Sequence, residues 1–141
     1  MPENKLSFDH IHILSEDAGA TAKWYVEKLG ATIHSEKEFL GALQIEIGLA
    51  GLTLLTRGRR PGEDPSSPGP MQDFQSFSSH NEYGTDHFGF NYHGDLRAYY
   101  ETLRAKGVTF VVEPWEISPD TLICYIAAPD GVSIELLQAR S

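Results

Sequence analysis

Thr85-Asp86-His87-Phe88-Gly89-Phe90 decides how the chain is read, because Phe8-Asp9-His10-Ile11-His12-Ile13 precedes it by 77 residues with the Asp-His pair in the same place. His10 is followed by Gly30 and His87 by Gly107, each twenty residues on, and threonine comes two positions later in both copies, at Thr32 and Thr109. Further along, Gly51-Leu52-Thr53-Leu54-Leu55 matches Gly131-Val132-Ser133-Ile134-Glu135 at an offset of 80. Self-similarity of this kind marks two copies of one unit, here about 55 residues long.

Both copies carry the same coarse layout. Phe8 to Leu14 and Thr85 to Tyr92 alternate as strands do. A helix follows each. In the second copy Leu96, Tyr99, Tyr100 and Leu103 form an apolar stripe, with Asp95 as N-cap and Gly107 as terminator. In the first, the stripe runs from Ala20 through Trp24 to Leu29, with Ser15 or Asp17 as cap and Gly30 at the end. Three strands then follow in each half, near 31–37, 42–48 and 51–57, and near 108–113, 121–128 and 131–138. Ala50-Gly51 and Pro129-Asp130-Gly131 are short turns of the kind that join antiparallel hairpins. The expectation is an α+β protein of two βαβββ repeats forming a cupped mixed sheet. It is a single domain over 1–141, with repeat one at about 7–57, a linker or lid at 58–82 and repeat two at about 83–138. The 58–82 segment holds four of the eight prolines, yet Met71, Phe74 and Phe77 are apolar for a solvated tether.

With 141 residues and a hydrophobic fraction of 40%, the chain suits one compact domain with a real core. Eleven Lys and Arg stand against twenty Asp and Glu, a net charge of −9, which excludes the concentrated basic surface that nucleic acid requires. Arg57, Arg59 and Arg60 form the one basic cluster and read as a solvated loop. Cys124 is the only cysteine, so no internal disulfide holds the fold. Residues 1–9 lack the apolar stretch of a signal peptide, and no apolar run approaches the roughly eighteen residues of a membrane span, so a cytoplasmic protein without membrane contact is expected.

Three residues carry the chemistry. His87 stands where His10 stands in the other copy, and first strands facing each other across a pseudo-twofold axis would bring the two together. Glu135 lies in the apolar run Val132-Ser133-Ile134-Glu135-Leu136-Leu137, where a carboxylate is costly unless it meets a cation or donors. Two imidazoles and one carboxylate make a set that holds a divalent metal and leaves positions open. His12 shares the face of His10 but has Gly89 as its counterpart, so it reads as a donor or pocket wall. His34, His80 and His93 read as surface residues, His80 within reach of the site if the linker closes. Trp24 and Trp115 could line an aromatic groove, although Trp24, on the helix stripe, reads as core.

These motifs, with Ala128-Pro129-Asp130-Gly131-Val132-Ser133-Ile134-Glu135-Leu136, resemble the vicinal oxygen chelate superfamily, which includes glyoxalase I, bleomycin-resistance and extradiol dioxygenase families. The resemblance covers nearly the whole chain except the linker. It implies paired βαβββ units around one divalent metal ion, Fe, Ni, Zn, Mn or Mg, held by His10, His87 and Glu135. It also implies a homodimer, a small-molecule substrate bound through adjacent oxygens, and a lyase or isomerase reaction. Tyr125, ten residues before Glu135, sits where ring-cleaving members place a tyrosine, so an Fe(II) extradiol dioxygenase is the alternative; Tyr125 and His12 are the catalytic candidates of the chain. A metal-free antibiotic-binding protein is the alternative of another class, although such binders have usually lost ligand residues that this chain keeps. One departure stands out: glyoxalase I enzymes add a glutamate from the first unit, and here the counterpart of Glu135 is Leu55, with Thr53 beside it and Glu46 one strand earlier.

Overall fold

The computed structural model describes residues 4–68 and 83–138, and the chain divides into two compact units, Met1–Pro65 and Ser66–Ser141. Unit one runs β1 (Ile11–Leu14), α1 (Ala18–Leu29), β2 (Thr32–Phe39), β3 (Ala42–Leu49) and β4 (Leu52–Arg57). Unit two runs β5 (Phe88–Tyr92), α2 (Leu96–Ala105), β6 (Thr109–Ser118), β7 (Thr121–Ala127) and β8 (Ser133–Gln138). Each unit is βαβββ, with a four-stranded sheet of its own in the order β1-β4-β3-β2 or β5-β8-β7-β6. The first strand lies parallel to the last and the other pairings are antiparallel. A parallel pair needs a long crossover, and the helix with its two following strands supplies it.

Capping residues set the helix ends as the sequence suggests. Asp17 accepts a hydrogen bond from the Ala20 amide at 3.0 Å, and Gly30 closes α1 in the left-handed region at φ 74°. Asp95 accepts from the Arg97 and Ala98 amides. The buried face of α1 differs from the expected stripe. It is Ala18, Thr21, Ala22 and Tyr25, while Ala20 is exposed and Trp24 only half-buried. With α1 starting at Ala18, the row Ala18, Ala22, Tyr25 meets the sheet, and Trp24 sits roughly 100° around the helix from its neighbour. Its ring instead meets Tyr25 edge-on at 5.1 Å. In α2 the expected Leu96, Tyr100 and Leu103 are buried, and Tyr99 stacks on Tyr92 with centroids 4.2 Å apart.

Alternation gives each sheet one helix-covered face and one opposite face. In unit one Ile13, Ile45, Ile47, Leu54 and Thr56 fill the covered face, with the Thr56 hydroxyl donating to the Ala18 carbonyl of α1. In unit two Ile134 and Leu136 lie on the α2 side, and Val112, Ile123 and Tyr125 form a second buried cluster with Ala127 and Leu137 beside it. The Ala50-Gly51 turn has positive φ at both positions, 53° and 78°, the geometry that matches the twist of a tight hairpin.

The beginning of the 58–82 segment is built rather than loose. A Cβ on Gly41 would come within 2.8 Å of Pro61, so this stretch lies against the β2–β3 turn, and Arg60 lies over the Phe39 ring at 5.7 Å. The arginine cluster is correspondingly not the solvated loop expected. Arg57 pairs with both carboxylate oxygens of Glu63 at 2.6 and 3.1 Å, and Arg59 donates to the Glu63 carbonyl at 3.1 Å. Met71, Phe74, Phe77 and His80 lie outside the described residues.

Candidate metal centre

His87 sits immediately before β5, and its Nδ1 lies 2.7 Å from Asp86 Oδ2. A carboxylate can only accept, so Nδ1 carries the proton and the Nε2 lone pair is left free to act as a ligand. Glu135 Oε1 is 3.4 Å from that Nε2, and the Tyr125 hydroxyl is also 3.4 Å from it. Strand register explains the gathering. Glu135 pairs with Tyr125 across β7–β8 and with Gly89 across β5–β8, and His87 stands two residues before Gly89, on the same face. A Cβ on Gly89 would meet the Glu135 carbonyl oxygen at 3.2 Å and its Cβ at 3.4 Å. Glycine there keeps the ground above Glu135 open.

Tyr125 is 1% exposed. Burial first, then the charges of Glu135 and Asp86, push its phenol up to about 12. It therefore stays protonated across the ordinary pH range and serves as a donor, not a base. Ser133, on the face of Glu135, has a buried hydroxyl without a hydrogen-bond partner among the described residues. Cys124 points to the other face and burial holds its thiol up near 12, so it is no nucleophile.

In unit one, His10 precedes β1 and its Nδ1 lies 2.6 Å from Asp9 Oδ2. The same dyad thus appears twice, but here it is exposed. His12 lies on β1 opposite Leu55, with its ring 6.2 Å from that of His10. Partial desolvation lowers its pKa below the usual histidine value, helped by Arg57, His10 and Arg60. Glu46 pairs with Leu55 across β3–β4 as Tyr125 pairs with Glu135, which makes Glu46 and Tyr125 structural counterparts. His34 and His93 are exposed, as expected for surface residues, and Trp115 is exposed on β6.

The structure thus brings together His87, Glu135 and Tyr125. His10 and His12 are neighbours in the other unit, and among the described residues no three His, Cys, Asp or Glu side chains are grouped to hold a metal. Asp9 and Asp86, each in contact with the Nδ1 of the following histidine, are residues to which the sequence reading assigned no role of their own. Their signal was present, since each directly precedes the aligned histidine.

Residues 7–136 match the family model described as the Glyoxalase/Bleomycin resistance protein/Dioxygenase superfamily. The chain belongs to this superfamily. Among solved structures, a glyoxylase/bleomycin resistance protein/dioxygenase domain from Frankia sp. EAN1pec is 19% identical with a TM-score of 0.73, covering 98% of this chain and 95% of that one. A glyoxalase family protein from Enterococcus faecalis is 19% identical with a TM-score of 0.70, covering 94% and 97%. The fosfomycin resistance protein FosX from Listeria monocytogenes, solved with Mn(II) and sulfate, is 16% identical with a TM-score of 0.62, covering 95% and 93%. At such identities the likeness shows the fold. No curated protein sequence matches the chain.

The donors suit the kind of group that the superfamily holds. In unit two the His87 Nδ1 is tied to Asp86, which fixes the ring and turns Nε2 towards the Glu135 carboxylate, and in unit one Asp9 ties the His10 Nδ1 in the same way. Nitrogen and oxygen ligands of this type accept several divalent ions.

Proposed function

We propose that this superfamily member is a divalent-metal-dependent enzyme of lyase or isomerase type. Its ligands are His10, His87 and Glu135, and it acts on a small molecule bound through adjacent oxygens. The observation that carries the reading is the His87 arrangement: Asp86 holds the ring by Nδ1, and Nε2, beside the Tyr125 hydroxyl, faces Glu135 at 3.4 Å. A divalent ion bound there supplies Lewis acidity to substrate oxygens. Tyr125, kept neutral by burial, donates a hydrogen bond where negative charge develops, which favours the charged state over the ground state. Glu135 is committed as a ligand, and Asp86 to orienting His87. The described residues around His87 therefore supply a donor and an orienting pair, without a carboxylate left over as base.

Elemental analysis of protein purified without added metals, beside a His87→Ala variant, tests the reading. Near-stoichiometric Mn, Ni, Zn or Mg that is lost in the variant supports it. The second reading, an Fe(II) extradiol dioxygenase, is favoured by Tyr125 lying against His87 with ring centroids 4.8 Å apart; iron as the bound metal, with turnover of catechols under oxygen, selects it. Absence of uptake of any divalent ion by the wild type refutes both and leaves a small-molecule-binding protein. A homodimer goes with the proposal, and a stable monomer in gel filtration at micromolar concentration refutes that part. Among the described residues no helix is long and apolar enough to cross a membrane.

A further inference from the structure

The uncovered face of the first sheet holds an open pocket of about 190 Å³ lined by Ser35, Lys37, Gln44, Glu46 and Leu55. Register accounts for the set. Ser35 pairs with Glu46 and Lys37 with Gln44 across β2–β3, and Glu46 pairs with Leu55 across β3–β4. Leu55 in turn pairs with His12, so the pocket opens on the side of the sheet that carries His12.

Two charges in this pocket lack a partner of opposite sign among the described residues. The Glu46 carboxylate accepts one long hydrogen bond, from the Ser35 hydroxyl at 3.3 Å. The Lys37 ammonium lies 5.5 Å from the Phe39 ring centroid. Neither belongs to an ion pair among the described residues, whereas Arg57, on the same face, is paired with Glu63. Lys37 and Glu46 are diagonal neighbours on adjacent strands, roughly 7–8 Å apart at the backbone. The two side chains are long enough to meet at that spacing, yet they do not form an ion pair, the Lys37 ammonium lying instead towards Phe39.

The charges select the ligand. A simple anion on Lys37 would be repelled by Glu46, and a simple cation on Glu46 by Lys37. An apolar group would desolvate both without compensation. A zwitterion satisfies both at once. We propose that this pocket binds the head group of an α-amino acid, its ammonium on Glu46 and its carboxylate on Lys37 and the Gln44 amide. That head group has five heavy atoms, and a cavity of about 190 Å³ takes it readily when one water occupies roughly 30 Å³. The inference deepens the proposed function by giving its substrate an amino-acid portion, and it rests on that reading only for identifying the ligand with the substrate.

The test uses the full chain, with glycine as the probe and acetate and methylammonium as its two half-ligands, followed by amide NMR shifts. Saturable glycine binding at about 1–10 mM is expected, with shifts at Ser35, Lys37, Gln44 and Glu46. Lys37→Met and Glu46→Gln should each weaken it at least about tenfold. Acetate binding as tightly as glycine overturns the proposal in favour of a plain anion site, and absence of saturation in the wild type overturns it outright. Metal uptake is read on the same samples. Glycine binding without metal uptake removes the catalytic reading and leaves this site standing, whereas metal uptake without glycine binding removes this site alone.

Discussion

Replacing Asp86 by alanine removes the carboxylate behind His87 without touching a ligand. The bond it deletes is 2.7 Å long, between side chains only 26% and 25% exposed. A charge-assisted hydrogen bond so shielded is worth about 1.5–3 kcal/mol, or roughly 10–100-fold in affinity at about 1.4 kcal/mol per tenfold, the usual penalty for losing a group that orients a ligand. The twin dyad supplies an internal control. Asp9 is 91% exposed and His10 38%, so their bond is solvated and worth only about 0.2–1 kcal/mol, less than about sixfold. Asp86→Ala should therefore weaken Mn(II) or Zn(II) binding by about an order of magnitude more than Asp9→Ala. Competition against a chromophoric chelator measures both, with circular dichroism melting curves confirming that the variants fold. Asp86→Asn should fall between wild type and alanine, because the amide oxygen still accepts from Nδ1. Equal losses in the two alanine variants, or none in a folded Asp86→Ala, would refute the idea that Asp86 aims His87 at a metal.

Gly89→Ala places a methyl 3.2 Å from the Glu135 carbonyl oxygen. It should destabilise the chain by about 1–3 kcal/mol in urea titrations and weaken metal binding at the same time; a fully stable variant with unchanged affinity contradicts the close approach. Tyr125→Phe should leave stability within about 1.5 kcal/mol and lower turnover roughly 10²–10³-fold once a substrate is found. Unchanged turnover would make the phenol a packing group only. Glu63 is held down to about 2 from 4.5, first by the Arg57 hydrogen bonds and then by the Arg60 amide. A carboxylate lowered on folding stabilises the chain above its unfolded pKa, and that contribution fades as pH falls from about 4.5 towards 2. The difference in urea midpoint between wild type and Glu63→Gln should thus shrink across this window, and a constant difference excludes the ion pair as its source.

The duplicated layout was legible because capping and turn residues act locally. Asp17, Gly30, Asp95 and Ala50-Gly51 each fix a chain direction within a few residues of themselves, so the element order follows from spacing alone. The buried face of α1 was not. Ala20 and Trp24 fit an apolar stripe as well as Ala18, Ala22 and Tyr25 do, and only the sheet against which the helix packs decides between them. The arginine cluster was misjudged for a related reason. Glu63 lies six residues from Arg57, and no periodicity ties the two, yet a chain reversal at Arg60–Glu63 brings them into a bidentate pair. Of the candidate residues, Glu135 and His87 stood out as an awkward carboxylate and an aligned histidine, and Tyr125 by its place ten residues before Glu135. Their proximity follows from register, since Tyr125 and Glu135 are paired across β7–β8.

Register also decides how many metals the duplicated fold should hold. Duplication by itself would give two equivalent sites, one per unit, and both units do keep the Asp-His dyad. Unit two follows it with Gly89, beside Glu135, and places Tyr125 on the far side of that carboxylate. Unit one has His12 beside Leu55, and Glu46 on the far side. At the position next to the first strand, unit one has the alkyl group of Leu55 where unit two has the Glu135 carboxylate. The gap that Gly89 leaves is filled by an imidazole. Glu46 does not restore the set, since its oxygen is turned to Ser35 on β2. A unit-one centre would thus rest on His10 and His12 without a carboxylate, a poor match for a divalent ion beside Arg57. One ion per chain is the expectation, with His10 serving the centre built on His87 and Glu135. Elemental analysis after dialysis against excess Mn(II) or Zn(II) reads this directly. Two ions per chain, one of them surviving Glu135→Ala, would show that the first copy has kept a site of its own.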